Sequence, residues 1–428
     1  EPNRAIITSK WGEIETAEVK KDTQVRYLGG VKSPILTEVK KSDKVTVLED
    51  EDDLMKVATS DGYVGYIKTK SLKNQKKEKT SRDFTEPVYS DMTEDHSINM
   101  AWHNVTNAAA NNAVQQVLAS TSGLTTIAPT WFSLADTEGN ISSIADADYV
   151  NYAHTAGLEV WAVFRDFHGG TNSYDETYET LRYTSKRAKL EDQVVAAAVA
   201  AGVDGINLDF ELISSKCGVH YVQLVRELSV KCHQNNLVFS VDNYVPQSYN
   251  SHYDLKEQGI VADYVVIMAY DEHTEGSYEA GSVASISYLQ DGIEKTLKKV
   301  SADKVIAGIP FFTRLWFETA KSSEQLSEEA GTEAASYPNK VSSKALGMEE
   351  AAQSVVNAGA TAQWDEKTQQ NYAKWSADGG TYRIWLEDAQ SLEAKLKVIQ
   401  ENKLAGVAEW SLGKEESSVW NLISQYVN

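Results

Sequence analysis

The eight residues Asp204-Gly205-Ile206-Asn207-Leu208-Asp209-Phe210-Glu211 constrain this chain more than any other stretch. Read as a β-strand, they place Ile206, Leu208 and Phe210 on one face and Asn207, Asp209 and Glu211 on the other, because side chains alternate along a strand. The apolar run Val194 to Val203 just before it reads as a buried helix. A strand flanked by helices in an α/β protein is normally apolar on both faces, and this one gives a whole face to polar groups. Burying carboxylates side by side is costly unless they are paired, solvated or used. Two readings are open: an edge strand with its polar face in water, or a functional strand. In the second, like charges raise a pKa and leave a carboxylic acid protonated near neutral pH, which is what a general acid requires.

Strand and helix patterns alternate around this stretch. Ser97–Trp102, Leu124–Pro129, Leu158–Phe164, Gly202–Glu211, Leu237–Val241, Tyr264–Tyr270, Val305–Pro310 and Gly406–Trp410 read as eight strands. Helical patterns lie between them, among them 108–119, 146–156, 221–235, 286–300 and 389–402. Eight such units predict an α/β TIM (β/α)8 barrel over 96–428, with its active site at the C-terminal strand ends. An open doubly wound sheet is the competing fold, but no Gly-x-Gly-x-x-Gly follows any strand. The connection between strands seven and eight is too long for a helix, so a small α+β insertion is expected at about 313–388.

Residues 23–72 read as short strands with turns and predict a small all-β barrel within a first domain, 1–72. Residues 1–22 have no firm assignment; an alternating patch (Ala5, Ile6, Ile7, Trp11) could add a strand. The polar, Lys- and Glu-rich stretch 73–95 reads as a linker.

The balance of 41 basic against 62 acidic residues gives a net charge of -21. That argues against nucleic acid and anionic membrane as partners. No apolar run is long enough to span a bilayer. The chain begins at Glu1 without a signal-like segment. Eight scattered histidines and two cysteines, Cys217 and Cys232, show no metal-ligand spacing, so neither a metal nor a cofactor is expected. The cysteines are read as free thiols, with one disulfide as the alternative. Aromatic and acidic residues gather at several strand ends: Trp102 on the first, Trp131 after the second, Glu211 on the fourth, Tyr270 and Asp271 on the sixth, Trp410 on the eighth. Such a set suits a sugar-binding mouth, since aromatic faces stack on pyranose rings and carboxylates take hydroxyls. Taken alone, Trp102 and Trp131 fit core packing equally well.

Asp204-Gly205-x-x-x-Asp209-x-Glu211 resembles the signature of family-18 glycoside hydrolases, the chitinase-like enzymes, with Asn207 where the fuller pattern carries an acid. Met268-Ala269-Tyr270-Asp271 resembles the family's Met-x-Tyr-Asp. Gly308-Ile309-Pro310-Phe311 with Arg314 and Trp316, and the run from Gly406 to Gly413, extend the likeness from about Ser97 to the C-terminus. It is nearer to bacterial cell-wall and spore-type members than to secreted chitinases. Separately, Asp61-Gly62-Tyr63-Val64-Gly65-Tyr66-Ile67 resembles bacterial SH3-like domains, which implies either attachment to wall peptide or glycan or a structural cap.

The family resemblance implies substrate-assisted retaining catalysis, in which the 2-acetamido carbonyl attacks the anomeric carbon. Glu211 would protonate the leaving oxygen and then activate water. Asp209 would hold the acetamide N–H and stabilise an oxazolinium intermediate, and Tyr270 would orient the acetamide carbonyl. Trp410 would floor the central subsite. Asp271, Met268, Asn207, Trp102, Trp131, Arg314 and Trp316 complete the expected sugar-binding set. The implied substrate is a β-1,4-linked polymer containing N-acetylglucosamine, with peptidoglycan ahead of chitin, and the implied location is extracellular or on the wall or spore. A non-catalytic lectin on the same barrel and an N-glycan-releasing endo-N-acetylglucosaminidase are the alternatives. Because Asn207 cannot ionise, Asp209 is expected to lose a like charge and to stay ionised to lower pH than in an enzyme with the complete acid set.

Overall fold

The computed structural model describes residues 12–80 and 91–427. The chain divides into two units, Glu1–Val88 and Tyr89–Asn428. In the first, seven antiparallel strands lie in the order Ile35–Val39, Thr23–Arg26, Val64–Lys68, Leu54–Ala58, Lys44–Glu51, Gly12–Val19, Leu72–Thr80. Alternate residues such as Ala17, Val19, Val45, Val47, Met55, Val57 and Ile67 form its core. Gly65 is required there, since a Cβ would stand 2.5 Å from the Arg26 carbonyl oxygen. The Ala5–Trp11 patch lies outside the described residues.

The expected linker is corrected at both ends. Residues 73–80 belong to an edge strand, Leu72–Thr80, paired with Gly12–Val19. Their side chains find partners across the ladder: Lys77 pairs with Glu13 at 2.9 Å, and Gln75 donates to Glu15 at 2.6 Å. Lysines on an edge are a common guard against unwanted strand pairing, and here they made a strand look like solvated coil. Residues 91–95 are tied to the second unit, with Asp91 on Lys304 at 2.6 Å and Met92 N–H on Asp263 at 2.7 Å.

The second unit is a closed eight-stranded parallel barrel ringed by helices. Its strands are β1 Ile98–His103, β2 Thr126–Pro129, β3 Glu159–Arg165, β4 Gly205–Asp209, β5 Val238–Tyr244, β6 Tyr264–Met268, β7 Val305–Pro310 and β8 Gly406–Trp410. Each pairs with the next, β2 pairs with β3, and β8 closes onto β1. Two buried layers follow from strand alternation. Ile206, Leu208 and Phe210 face outward among the helices, while Met100, Trp102, Val266, Met268 and Ala408 fill the barrel. Every residue of β4 is buried, so the edge-strand reading of its polar face is excluded. A hairpin, Phe132–Leu134 with Ile141–Ser143, extends the sheet after β2 and was not expected from sequence.

The chain between β7 and β8 forms an antiparallel sheet in the order Asn339–Gly347, Phe312–Ala320, Gly380–Leu386, Gln370–Ala377, Gln363–Asp365. Helix Met348–Asn357 packs on it through Ala351 and Val355.

Candidate active site

The inward face of β4 carries its polar residues into the barrel mouth. Gly205 lets the strand approach its neighbours, because a Cβ would meet Trp161 and the Val238 carbonyl at 2.8 Å. Asp204, at the other end, accepts from Val160 N–H and His154 at 2.8 Å and faces away from the mouth. β4 ends at Asp209, and Glu211 sits on the turn that follows. Asp166, just past β3, fixes that turn by accepting from the N–H groups of Glu211 at 2.9 Å and Leu212 at 3.0 Å. Burial raises the pKa of Asp166 to about 7, against those hydrogen bonds.

Asp209 is buried, and its Oδ1 has no hydrogen-bond partner. Desolvation, then Glu211, Asp242 and Asp166, push its pKa well up, with Arg165 opposing. Glu211 accepts a short hydrogen bond from the Tyr244 hydroxyl. Desolvation raises its pKa, the Tyr244 bond lowers it, and Asp271 raises it again. Asn207 is buried between strands. Its Oδ1 accepts from the Trp102 indole at 3.0 Å, and its Nδ2 donates to Ser240 at 2.9 Å and Asp242 at 2.7 Å.

Trp102 also meets Tyr270 and Trp410 edge-on, with ring centroids 6.4 and 6.0 Å apart, and Tyr270 meets Phe312 at 6.2 Å. Met268 is buried under this cluster. At Asp271 desolvation raises the pKa, while Arg314 and Lys414 draw it down. Arg314 donates to Ser343 at 3.0 Å and leaves its Nε unpartnered. Lys414 holds its ammonium over the Phe312 ring at 5.2 Å and the Trp410 ring at 6.0 Å, a cation–π arrangement.

The structure thus gathers Asn207, Asp209, Glu211, Tyr270, Asp271, Trp102, Trp410, Met268 and Arg314 around one mouth. It does not bring Trp131 or Trp316 there. Trp131 is buried against Tyr149, and its N–H is spent on Asn111 at 2.8 Å. Trp316 is buried, with its N–H on the Gly281 carbonyl at 2.8 Å. Sequence reasoning missed Arg165, Asp166, Asp242, Tyr244 and Lys414. Asp242 and Tyr244 had a signal in Ser240-x-Asp242-x-Tyr244, a polar alternation continuing past the apolar run of β5. Beside Glu211 lies a cleft of about 320 Å³ lined by Tyr174, Tyr244, Tyr249 and His252. These tyrosines are 53%, 39% and 77% exposed. Among the described residues, no cluster of His, Cys, Asp and Glu could hold a metal ion. Cys217 and Cys232 are free and buried.

Comparison with known proteins decides the family. The profile of Glycosyl hydrolases family 18 matches residues 167–415. The chain belongs to glycoside hydrolase family 18. This family-18 chain is a glycosidase. It is 25% identical over 295 residues to the "Uncharacterized glycosylase YvbX" of Bacillus subtilis, covering 67% of this chain and 80% of that one. It is 27% identical over 256 residues to the cortical fragment-lytic enzyme of Bacillus subtilis, covering 57% of this chain and 54% of that one, little more than half its length. Among solved structures, the spore cortex-lytic enzyme SleL of Bacillus megaterium superposes with a TM-score of 0.63 at 19% identity, covering 86% of this chain and 78% of that one. A family-18 chitinase from Cycas revoluta in complex with (GlcNAc)3 superposes with a TM-score of 0.62 at 20% identity, covering 78% of this chain and 100% of that one. These superpositions carry the fold of the family-18 barrel.

Proposed function

We infer that this family-18 glycosidase cleaves β-1,4 bonds after N-acetylglucosamine by substrate-assisted retaining catalysis, with wall or spore-cortex peptidoglycan as its polymer. The observation that carries the mechanism is the pairing of Glu211 with Asp209. Glu211 stands at the mouth with a raised pKa, fit to hold a proton for the leaving oxygen. Asp209 lies one strand repeat deeper, buried, with a free oxygen able to accept an acetamide N–H. A carboxylate that deep is placed to stabilise a cationic intermediate rather than to attack the anomeric carbon, so the acetamido oxygen is the nucleophile. Tyr270 holds that oxygen in line, an effect of orientation. Trp410 forms the floor. The tyrosine-lined cleft beside Glu211 takes the leaving-group sugar, since the acid lines it directly.

The preference for peptidoglycan draws on relatives described as cortical fragment-lytic and spore cortex-lytic enzymes, and a location at the wall or spore goes with it. In the first unit a cleft of about 760 Å³, lined by Lys21, Arg26, Lys68 and Lys70 with Asp22 and Glu38, is the surface through which it would hold wall peptide or glycan. The test is mass spectrometry of products from purified peptidoglycan and from chitin oligosaccharides, with Glu211→Gln beside the parent. New N-acetylglucosamine reducing ends from peptidoglycan, absent with the variant, support this reading. Cleavage of chitin alone replaces the substrate, and no product from either replaces the function with sugar binding or N-glycan release.

A further inference from the structure

The mouth holds more positive charge than the proposed reaction uses. Arg165, at the end of β3, lies level with Asp209 on β4, whose charge favours the cation. Lys414 has no such carboxylate opposite it. It follows β8, and its backbone is pinned to the insertion, since its carbonyl accepts from Met348 N–H at 2.8 Å. Its side chain is half-buried, with the ammonium 5.2 Å from the centre of the Phe312 ring and 6.0 Å from that of Trp410. Among the described residues that ammonium has no hydrogen bond and no ion pair.

Arg314 borders the same face. It stands two residues beyond Phe312 on the strand Phe312–Ala320, so the two side chains share a side of the sheet, about 6.5 Å apart along it. It donates to the Ser343 hydroxyl at 3.0 Å, and its Nε is buried with no partner. Asp271 follows Tyr270, whose ring meets that of Phe312, and both cations draw on it. Among the described residues it forms an ion pair with neither. Two cations thus share one acid, in a chain whose net charge is -21. A half-buried ammonium without a partner is costly to keep, and burial lowers its pKa. A neutral polymer would bring it only hydroxyls and amides, whereas a carboxylate would bring it a counter-charge.

We propose that Lys414 is a specificity-determining residue, placed with Arg314 to receive a carboxylate that the polymer carries beside the sugar floored by Trp410. The inference rests on the glycosidase reading above and narrows its substrate to an acidic glycan. In that reading the sugar on Trp410 is N-acetylglucosamine, which is uncharged, so the carboxylate belongs to its neighbour. Peptidoglycan offers two sources: the lactyl group of muramic acid where no peptide is attached, and the free carboxylates of the stem peptide where one is. Chitin offers none. The bound carboxylate takes a charge-assisted hydrogen bond from the ammonium and meets the unused Nε of Arg314. Because the Lys414 backbone is already tied to the insertion, little ordering is left to do when the glycan arrives.

The test uses the full chain and glycan strands from purified peptidoglycan, either stripped of stem peptides or carrying them, and in each case with carboxylates free or methyl-esterified. For the parent, KM is expected to be about tenfold lower on strands with free carboxylates than on their esters. Lys414→Met is expected to abolish that difference, and Lys414→Arg to retain it. The rise in KM for Lys414→Met on the acidic strands is expected to exceed any change on an aryl β-chitobioside, which carries no carboxylate. A preference seen with stripped strands assigns the lactyl group, and one seen only with peptide-bearing strands assigns the peptide; either supports the proposal. A parent indifferent to esterification, or a Lys414→Met that keeps the parent's preference, overturns it. Should Lys414→Met fail to fold by circular dichroism, Lys414→Gln is read in its place with the same two outcomes. Calorimetric binding of the same glycans to Glu211→Gln reads the preference without turnover. A parent that cuts none of them therefore strikes the functional reading alone, while the binding preference still decides the role of Lys414.

Discussion

The raised pKa of Glu211 reflects burial and the Asp271 charge, which favour the neutral form, against the Tyr244 hydroxyl, which favours the carboxylate. Tyr244→Phe removes that hydroxyl. The alkaline limb of the pH–rate profile, where the acid is lost, is expected to move up by about one unit. A limb that stays in place would show that Tyr244 does not act on the acid. Glu211→Gln keeps the shape but not the proton, and turnover is expected to fall by about 10²–10⁴-fold, measured on the same aryl glycoside. Much of this site was legible at the residue scale. Asp209 and Glu211 announce themselves because a helix-flanked strand has no other reason to carry them. Trp131 and Trp316 misled because an indole in sequence does not show whether its N–H will meet sugar or, as here, Asn111 and the Gly281 carbonyl. Asp242 was lost because the apolar run of β5 stops at Val241, while the strand continues three residues further on hydrogen bonds to β6.

Among the elements, the junction of the insertion with the barrel turns on one buried ion pair. Glu387, between strand Gly380–Leu386 and helix Ala389–Glu401, accepts from Lys395 at 2.9 Å, Ser391 at 2.8 Å and Gln370 at 2.6 Å. Lys395→Met leaves the carboxyl buried without its cation and is expected to cost about 3–5 kcal/mol, read by chemical denaturation. The double variant Glu387→Leu/Lys395→Met is expected to recover much of that loss, since a buried pair removed whole costs less than one broken. A single variant as stable as the parent would remove the pair from any structural role. The eight barrel strands were readable from sequence because apolar runs and helical periods alternate at the right spacing. The hairpin after β2 was not, since its strands are three residues each and their pairing is set by contacts distant in sequence. The edge strand Leu72–Thr80 was hidden by its charges, which only the facing strand explains.

For the whole molecule, buried carboxyl groups set the pH dependence of stability. Glu159 and Asp166 rise to about 7 and Asp242 to about 8, each chiefly through desolvation. A carboxyl with a raised folded-state pKa stabilises below its unfolded value, and that contribution is lost as pH climbs through the folded one. Thermal unfolding is therefore expected to move down by roughly 5 °C or more between pH 5.5 and pH 8.5, followed by circular dichroism. A flat or rising curve would mean these groups are not held neutral. On the acid side, Glu227 is drawn down to about 2 by Arg187 and Gln223 against desolvation, so its contribution is lost as pH falls from about 4.5 toward 2. The closure of the barrel by β8, with Gly406 level with Ile98 and Trp410 level with Trp102, has a consequence for synthesis. Until Gly406–Trp410 has left the ribosome, β1 and β7 each present an unpaired strand edge, and the interior that hides the acids stands open. During that interval the barrel strands already made form an open sheet, whose two free edges are where a chaperone would act.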